Sequence, residues 1–275
     1  MTTRPTVRIS LLFGLSLLWE YVTIFANNKH VDFEIQFNDK LIKELRNEYS
    51  EEYYELLRDY LLTSIASMNN VRVIPGDDLP HVLPHVIAAA LEVAPHSMDI
   101  VDSFNDEAAL YNNYIVINTK VISGNDGDIR TPWNEHIKNN LIDLLHRYNT
   151  RVILIGEKNY SDCHEYRIHN TFCIYEDIIN SRLTNIIDLT VDDTIKLYSK
   201  EIITRNLNIL RKSNFNIHIG EGGGLKIFAL CNNLLSLTTV DIHLFHFMNN
   251  KNFFKKSFDP THFLHMVEEH LKSNV

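Results

Sequence analysis

Short apolar runs alternate with helix-length amphipathic segments along most of the chain. This alternation restricts the fold more than any other feature, because it is the pattern of βαβ units around a parallel sheet. Val7–Leu12 is predicted as a first strand and Leu17–Ala26 as the following helix. Val31–Phe37 is a second strand, with Phe33, Ile35 and Phe37 on one face. Leu41–Leu62 is predicted as a long charged helix, and Val71–Ile74, closed by Pro75-Gly76-Asp77, as a third strand. His81–Val93 is helical in composition between Pro80 and Pro95, and Ser97–Asp102 is a short candidate strand.

A second series starts at Tyr114. Strands are predicted at Tyr114–Asn118, Arg151–Ile155, Ile186–Leu189, Phe215–Ile219, Leu237–Val240 and around Leu244–Phe247. Helices are predicted at Trp133–Tyr148, Asp192–Arg211, Leu225–Asn232 and Pro260–Lys272, and Val121–Thr131 is a Gly/Asp-rich loop. Ile174–Ile179 fits neither period. The polar stretch Asp102–Asn113 separates the two series, giving an expected N-terminal unit over 1–110 and a C-terminal unit over 111–275. A chain of 275 residues accommodates two compact α/β units, the first of them lean.

Charge and cysteine usage narrow the function classes. With 26 Lys+Arg against 35 Asp+Glu the formal charge is −9, which argues against nucleic acid as a partner. An anionic ligand remains compatible, because backbone amides and a few cations can hold it locally. Three cysteines without a CxxC pair fit a reducing cytoplasm better than a disulfide scaffold. Arg4 and Arg8 before the apolar run Ile9–Trp19 loosely copy a signal or anchor segment and leave peripheral membrane contact open. Glu20 interrupts that run, and a buried first strand and helix is the main expectation.

Only nine glycines occur, yet four are Gly220, Gly222, Gly223 and Gly224, between the strand Phe215–Ile219 and the helix Leu225–Asn232. A strand–glycine turn–helix can present the free N–H groups of a helix N-terminus to an anion, with no Cβ blocking its approach. The spacing matches neither GxGxxG nor GxxxxGK[ST]. Lys226, in the first helical turn, opposes the helix dipole unless an anion lies beside it. Phosphate cradle and plain tight turn both fit this pattern.

The order Tyr114-Ile-Val-Ile-Asn-Thr-Lys120, Trp133, Val152-Ile-Leu-Ile-Gly-Glu157, Ile186-Ile-Asp-Leu-Thr190 and Ile217-His-Ile-Gly-Glu-Gly-Gly-Gly-Leu-Lys226 resembles the donor-binding half of GT-B glycosyltransferases. The closest likeness is to the heptosyltransferase-like family, glycosyltransferase family nine. The resemblance spans about 160 residues at the level of pattern. It implies an α/β chain of two Rossmann-like parallel-sheet units in a GT-B-like arrangement, the N-terminal one reduced. It also implies transfer of a sugar from a nucleotide-activated donor to a glycan or small-molecule acceptor, with no cofactor and no metal. Thr119, Lys120 and Gly222–Leu225 (Gly222, Gly223, Gly224, Leu225) match the positions that meet the donor diphosphate, with Lys226 beside them. In the first half, Phe13-Gly14-Leu15-Ser16-Leu17-Leu18 lies where such enzymes have a Gly-Asp pair near the catalytic carboxylate. No Asp stands there, so Ser16 and Glu20 are the nearest polar residues, and Glu20 is the candidate base.

Other residues carry weaker patterns. Glu157 and Lys158 close a strand at the end where α/β sheets bind ligands, and Glu176 is placed either for a ribose hydroxyl or for a helix N-terminus. His164, Glu165, Arg167 and His169 crowd a loop beside Cys163, and Asp126, Gly127, Asp128 and Arg130 form a charged loop. His243/His246 and His262/His265, with Glu269 and His270, share helical spacing but match no metal motif such as HExxH. Two rivals remain: a nucleotide- or sugar-phosphate-binding protein without catalysis, and another nucleotide-sugar enzyme such as an epimerase.

Overall fold

The structure, a computed structural model, describes residues 4–11, 15–37, 51–91, 111–123, 133–159, 170–192, 199–220, 224–232, 234–239, 254–256 and 259–273. Within them the chain adopts the expected α/β class, as two parallel-sheet units. The first contains β1 (Thr6–Leu11), α1 (Leu15–Asn27), β2 (Asp32–Phe37), α2 (Glu51–Ile65), β3 (Val71–Val73) and α3 (Pro84–Ala90). Its strands form a parallel sheet in the order β1-β2-β3. Period-two alternation sends Ile9, Leu11, Phe33 and Ile35 into the core. Arg8, Glu34 and Arg72, in register across the other face, form a charged row. A parallel sheet usually reads as continuous apolar runs because both faces are covered, so this row marks a water-facing side.

The second unit contains β4 (Ile115–Ser123), α4 (Glu135–Arg147), β5 (Val152–Ile155), β6 (Asn170–Cys173), α5 (Tyr175–Ile179), β7 (Ile186–Asp188), α6 (Lys200–Lys212), β8 (Asn216–Gly220), α7 (Gly224–Cys231), β9 (Ser236–Thr238), β10 (Phe254–Lys256) and α8 (Pro260–Ser273). The strand order is β10-β9-β8-β4-β5-β7, all parallel, with β6 antiparallel on β4. Val152-Ile-Leu-Ile155 is buried at every position, as a central parallel strand requires. Caps fix the helix starts: Asn134 accepts from the Ile137 N–H at 3.0 Å, and Ser199 accepts from that of Ile202 at 3.4 Å.

Several boundaries differ from the sequence expectation. The helix expected from His81 begins at Pro84, because proline fixes φ and lacks the N–H that a first helical turn leaves unused. Residues 81–83 instead run extended, with His81 bridging to Ser10. The strand expected to stop at Asn118 continues to Ser123, so Thr119 and Lys120 belong to it and not to a following loop. It does so by changing partner: pairing with β5 ends at Asn118, and Lys120–Ser123 pair with β6, a strand absent from the sequence reading. Ile174–Ile179 resolves into the single-turn α5, and β10 is also additional. The expected elements at Ser97–Asp102 and Leu244–Phe247, the first part of the helix from Leu41, and the polar boundary up to residue 110 lie outside the described residues.

The two sheets share one apolar core. Trp19, Phe25, Phe33 and Leu61 of the first unit belong to the same buried cluster as Val116, Ile155, Leu207 and Phe228 of the second. Trp19 of α1 packs edge-on against Phe228 of α7 at 5.0 Å, and the Tyr60 and Thr204 hydroxyls hydrogen-bond at 2.9 Å. The opposite face of the large sheet packs separately, with Ile117, Leu154, Ile217 and Leu237 against Leu141, Leu145, Phe263 and Val267. No helix among the described residues is long and apolar enough to cross a membrane. The apolar N-terminal run is divided between β1 and the wholly buried middle of α1.

Candidate functional site

The carboxyl ends of β5, β4 and β8 lie side by side, and Thr119, Lys120 and Glu157 stand together along this edge. β4 sets the local shape. Its register against β8 shifts between Asn118 and Ile122, which is where it leaves β5 for β6. The gap is closed by Gly156, whose φ is +104°, a conformation that side chains with a Cβ rarely adopt. A Cβ there would stand 2.7 Å from Asn118 Oδ1 and 2.8 Å from Thr119 Oγ1. Gly156→Ala is therefore expected to cost about 2 kcal/mol. Denaturant midpoints check this, and an unchanged midpoint would show that the turn relaxes freely.

Thr119 is fully buried, and its hydroxyl sits 3.0 Å from the Ile155 carbonyl and 2.7 Å from that of Glu157. It ties β4 to the end of β5. Glu157 is also fully buried, and its Oε1 accepts from Lys120 Nζ at 3.1 Å, the Lys120 side chain being 17% exposed. Thr119, Lys120 and Glu157 thus form one group. Cys173 lies beside it, its thiol pushed up to about 12 by burial and then by the Glu157 charge, so it is no thiolate nucleophile at neutral pH.

On the neighbouring strand, β8 ends at Gly220 with φ +88°, and α7 starts at Gly224. Gly222 and Gly223 lie outside the described residues; Gly224 and Leu225 form the first turn of α7. Lys226 departs from its expected place. Its side chain is fully buried, and Nζ donates to the Gly220 carbonyl at 2.6 Å and to Thr238 Oγ1 at 2.8 Å. Thr239 Oγ1 accepts from the Gly220 N–H at 3.2 Å. The ammonium braces the strand–helix junction from beneath and is not presented at the surface. His218 lies in the same buried layer, in register with Asn118 and Thr238. Burial, and then the Lys226 charge, push its pKa down to about 3, so the imidazole is neutral.

A third group was not singled out as a unit from the sequence. Tyr175 donates to Asp188 Oδ2 at 2.8 Å, and Thr190 Oγ1 donates to Asp188 Oδ1 at 2.5 Å. Lys158 pairs with Asp188 at 3.6 Å and Asp192 at 3.2 Å and lies 5.6 Å from the Tyr175 ring centre. Burial alone would raise the Asp188 pKa, but the bonds from Thr190 and Tyr175 and the Lys158 charge hold it low. The signal was local: Asp188-Leu189-Thr190 closes an Asx turn at a strand end, with the Thr190 N–H 3.0 Å from Asp188 Oδ1. Glu176 is exposed in the first turn of α5, favourable to the helix dipole, and has no described bond to the other groups. Trp133 is occupied in packing, its Nε1 donating to Asp177 at 2.8 Å.

Glu20 lies elsewhere, in the buried middle of α1. It is fully buried, neither carboxyl oxygen has a hydrogen-bond partner among the described residues, and burial pushes its pKa up to about 8. At neutral pH it is a neutral acid and not a base ready to take a proton. Residues 160–169, 124–132 and 240–253, with the His164, Asp126 and His243 groups, lie outside the described residues. His265 of the C-terminal pair is 3.4 Å from Glu269.

No family model matches the chain, and no curated protein matches it. Solved structures similar to it include the dodecameric iron-containing heptosyltransferase TibC in complex with ADP-D-beta-D-heptose, at 14% identity and a TM-score of 0.42 over 86% of this chain and 57% of that one. The chain thus spans little more than half of TibC. A second is E. coli heptosyltransferase WaaC with ADP, at 9% identity and a TM-score of 0.49 over 98% of this chain and 100% of that one. A third is a putative UDP-N-acetylglucosamine 2-epimerase from Listeria monocytogenes, at 10% identity and a TM-score of 0.42 over 99% of this chain and 90% of that one. The expectation that no metal takes part is corrected by the first of these, which is described as iron-containing. Among the described residues, no three His, Cys, Asp or Glu side chains converge as a metal-holding group. TibC and WaaC, two of these solved structures, are heptosyltransferases.

Proposed function

We propose that the chain binds a nucleotide-activated sugar along the carboxyl edge of the large sheet and acts as a glycosyltransferase-like protein of 1–110 acceptor-side and 111–275 donor-side units. The observation that carries this reading is the convergence there of the α7 N-terminus with the Thr119–Lys120–Glu157 group. In open parallel sheets, ligands bind outside the carboxyl ends of the strands, and the first N–H groups of a helix have no partner within it. The donor diphosphate would lie on the amides from Gly222 to Leu225, with Lys120, which retains 17% exposure, as the accompanying cation. Such donors, fixed in advance, stabilise the charge that develops on a leaving diphosphate. Glu176, exposed at the start of α5, is proposed for a ribose hydroxyl, and Glu157 for the donor side through its pair with Lys120.

A thermal-shift panel of UDP-, GDP-, CMP- and ADP-sugars tests the reading. At least one should stabilise the protein, and stabilisation by none would overturn it. Gly224→Asp is the sharper probe. A carboxylate in the first turn favours the helix dipole, so α7 should hold, yet it would repel a diphosphate and remove the nucleotide response. An unchanged response in that variant would place the nucleotide elsewhere.

The buried, neutral state of Glu20 favours a second reading, in which the chain binds a nucleotide-sugar without transferring the sugar. Slow donor hydrolysis without acceptor separates the two, since a binder leaves the donor intact.

A further inference from the structure

At the opposite, amino-terminal edge of the large sheet lies a concavity of about 340 Å³, within the size range of small-ligand pockets. Its rim is built from the residues that lead into four strands: Asn112 and Asn113 before β4, Asn149 to Arg151 before β5, Asn185 before β7 and Asn214 before β8. Five asparagines therefore ring one pocket, and no acidic residue lines it, in a chain of net charge −9. That composition disfavours a cation. It also offers little to a strong anion, since Arg151 is the sole lining cation and one of its N–H groups is spent on the Asn112 carbonyl at 2.9 Å.

Carboxamides donate and accept at once, which is the requirement of a hydroxyl-rich neutral ligand. Two side-chain hydrogen bonds tie the rim together: Asn214 Nδ2 donates to Asn113 Oδ1 at 2.8 Å, and Asn185 Nδ2 donates to Asn149 Oδ1 at 2.6 Å. The Asn112 carboxamide and the Thr150 hydroxyl are engaged by no described residue. Asn113 and Asn149, with φ of 57° and 46°, are the two non-glycine residues of the described chain with positive φ, and both belong to this rim. Asparagine adopts the left-handed region readily, and Asn149 does so where α4 ends, its turn closed by the Thr150 N–H to the Leu145 carbonyl at 3.1 Å. Ile115 and Leu271 supply an apolar side, and the Tyr148 ring beside them is steadied by its bond to Glu268 at 3.1 Å.

We propose that this pocket binds a neutral saccharide unit, its C–H face against Ile115, Leu271 and Tyr148 and its hydroxyls on the amide rim. The site is separate from the carboxyl edge and does not depend on what binds there. Saturation-transfer NMR on the full chain, with methyl glycosides of glucose, galactose, mannose and N-acetylglucosamine, tests it. At least one glycoside should bind in the millimolar range and not be displaced by inorganic phosphate. Asn112→Ala, which removes no described side-chain bond, and Arg151→Ala should each weaken that binding by about tenfold. Gly224→Asp, at the other edge, should leave it unchanged. Absence of binding by every glycoside, displacement by phosphate, or affinities indifferent to Asn112→Ala would overturn the proposal.

Discussion

Glu20→Gln is expected to stabilise the protein, and to do so more strongly as pH rises. The Glu20 carboxyl is fully buried without a hydrogen-bond partner among the described residues, and burial carries its pKa from 4.5 to about 8. In the unfolded chain it ionises near the ordinary value, so between these limits the folded state holds the extra proton. Stability is then lost as pH rises through that window. At pH 7 the difference amounts to roughly 3 kcal/mol, which a neutral glutamine does not incur. Well below pH 4.5 both side chains are neutral in both states and the two proteins should converge. His218 acts in the opposite sense. Held neutral by burial with a pKa near 3, it removes stability as pH falls below its ordinary 6.5. That contribution is common to both proteins and cancels in their difference. Denaturant titrations at pH 5 and pH 8 check the prediction, and a pH-independent difference would mean that the carboxyl finds a counter-charge.

What the sequence revealed and what it hid follow from the range of the interactions involved. Val152–Ile155 and Asn216–Gly220 were legible because a central parallel strand is a local apolar run, and α4 and α6 because cap and stripe lie within one segment. The extension of β4 was not legible. It depends on Asn170–Cys173, about fifty residues away, supplying an antiparallel partner, and no local pattern encodes that pairing. The grouping of Lys120 with Glu157 was implied only by both standing at strand ends, and the fact that they form a buried ion pair is a tertiary result. Lys226 is the clearest divergence. Its position in a first helical turn suggested an anion-facing charge, yet the side chain turns back to Gly220 and Thr238. A lysine stem is long enough for either outcome, and the choice is made by β9, which comes later in the chain. Glu20 diverges for the same reason: its burial requires α7 and the first sheet to close around α1.

Lys226→Met should be destabilising, and its effect on ligand binding decides what the ammonium does. Methionine fills a similar volume but removes the donor that the buried Gly220 carbonyl and Thr238 Oγ1 have at 2.6 and 2.8 Å, leaving the longer contact of 3.5 Å from the Thr238 hydroxyl to that carbonyl. Two short bonds to a charged donor are lost and one longer contact remains, so a loss of roughly 2 kcal/mol from hydrogen bonding is expected. Removal of the cation returns about 0.5 kcal/mol through the helix dipole and also part of the cost of desolvating a buried ammonium, so the net loss is smaller than the hydrogen bonds alone suggest. If Lys226 braces the turn, stability and nucleotide response fall together, because the α7 N-terminus loses its fixed relation to β8. If Lys226 instead touches the diphosphate directly, the nucleotide response falls while stability holds or rises, as for an unfavourably placed charge removed. The two outcomes are separated by measuring the denaturant midpoint and the nucleotide-induced thermal shift on the same variant. The geometry predicts the first, since an ammonium with two short bonds beneath the turn has to break them before it can reach a ligand above it.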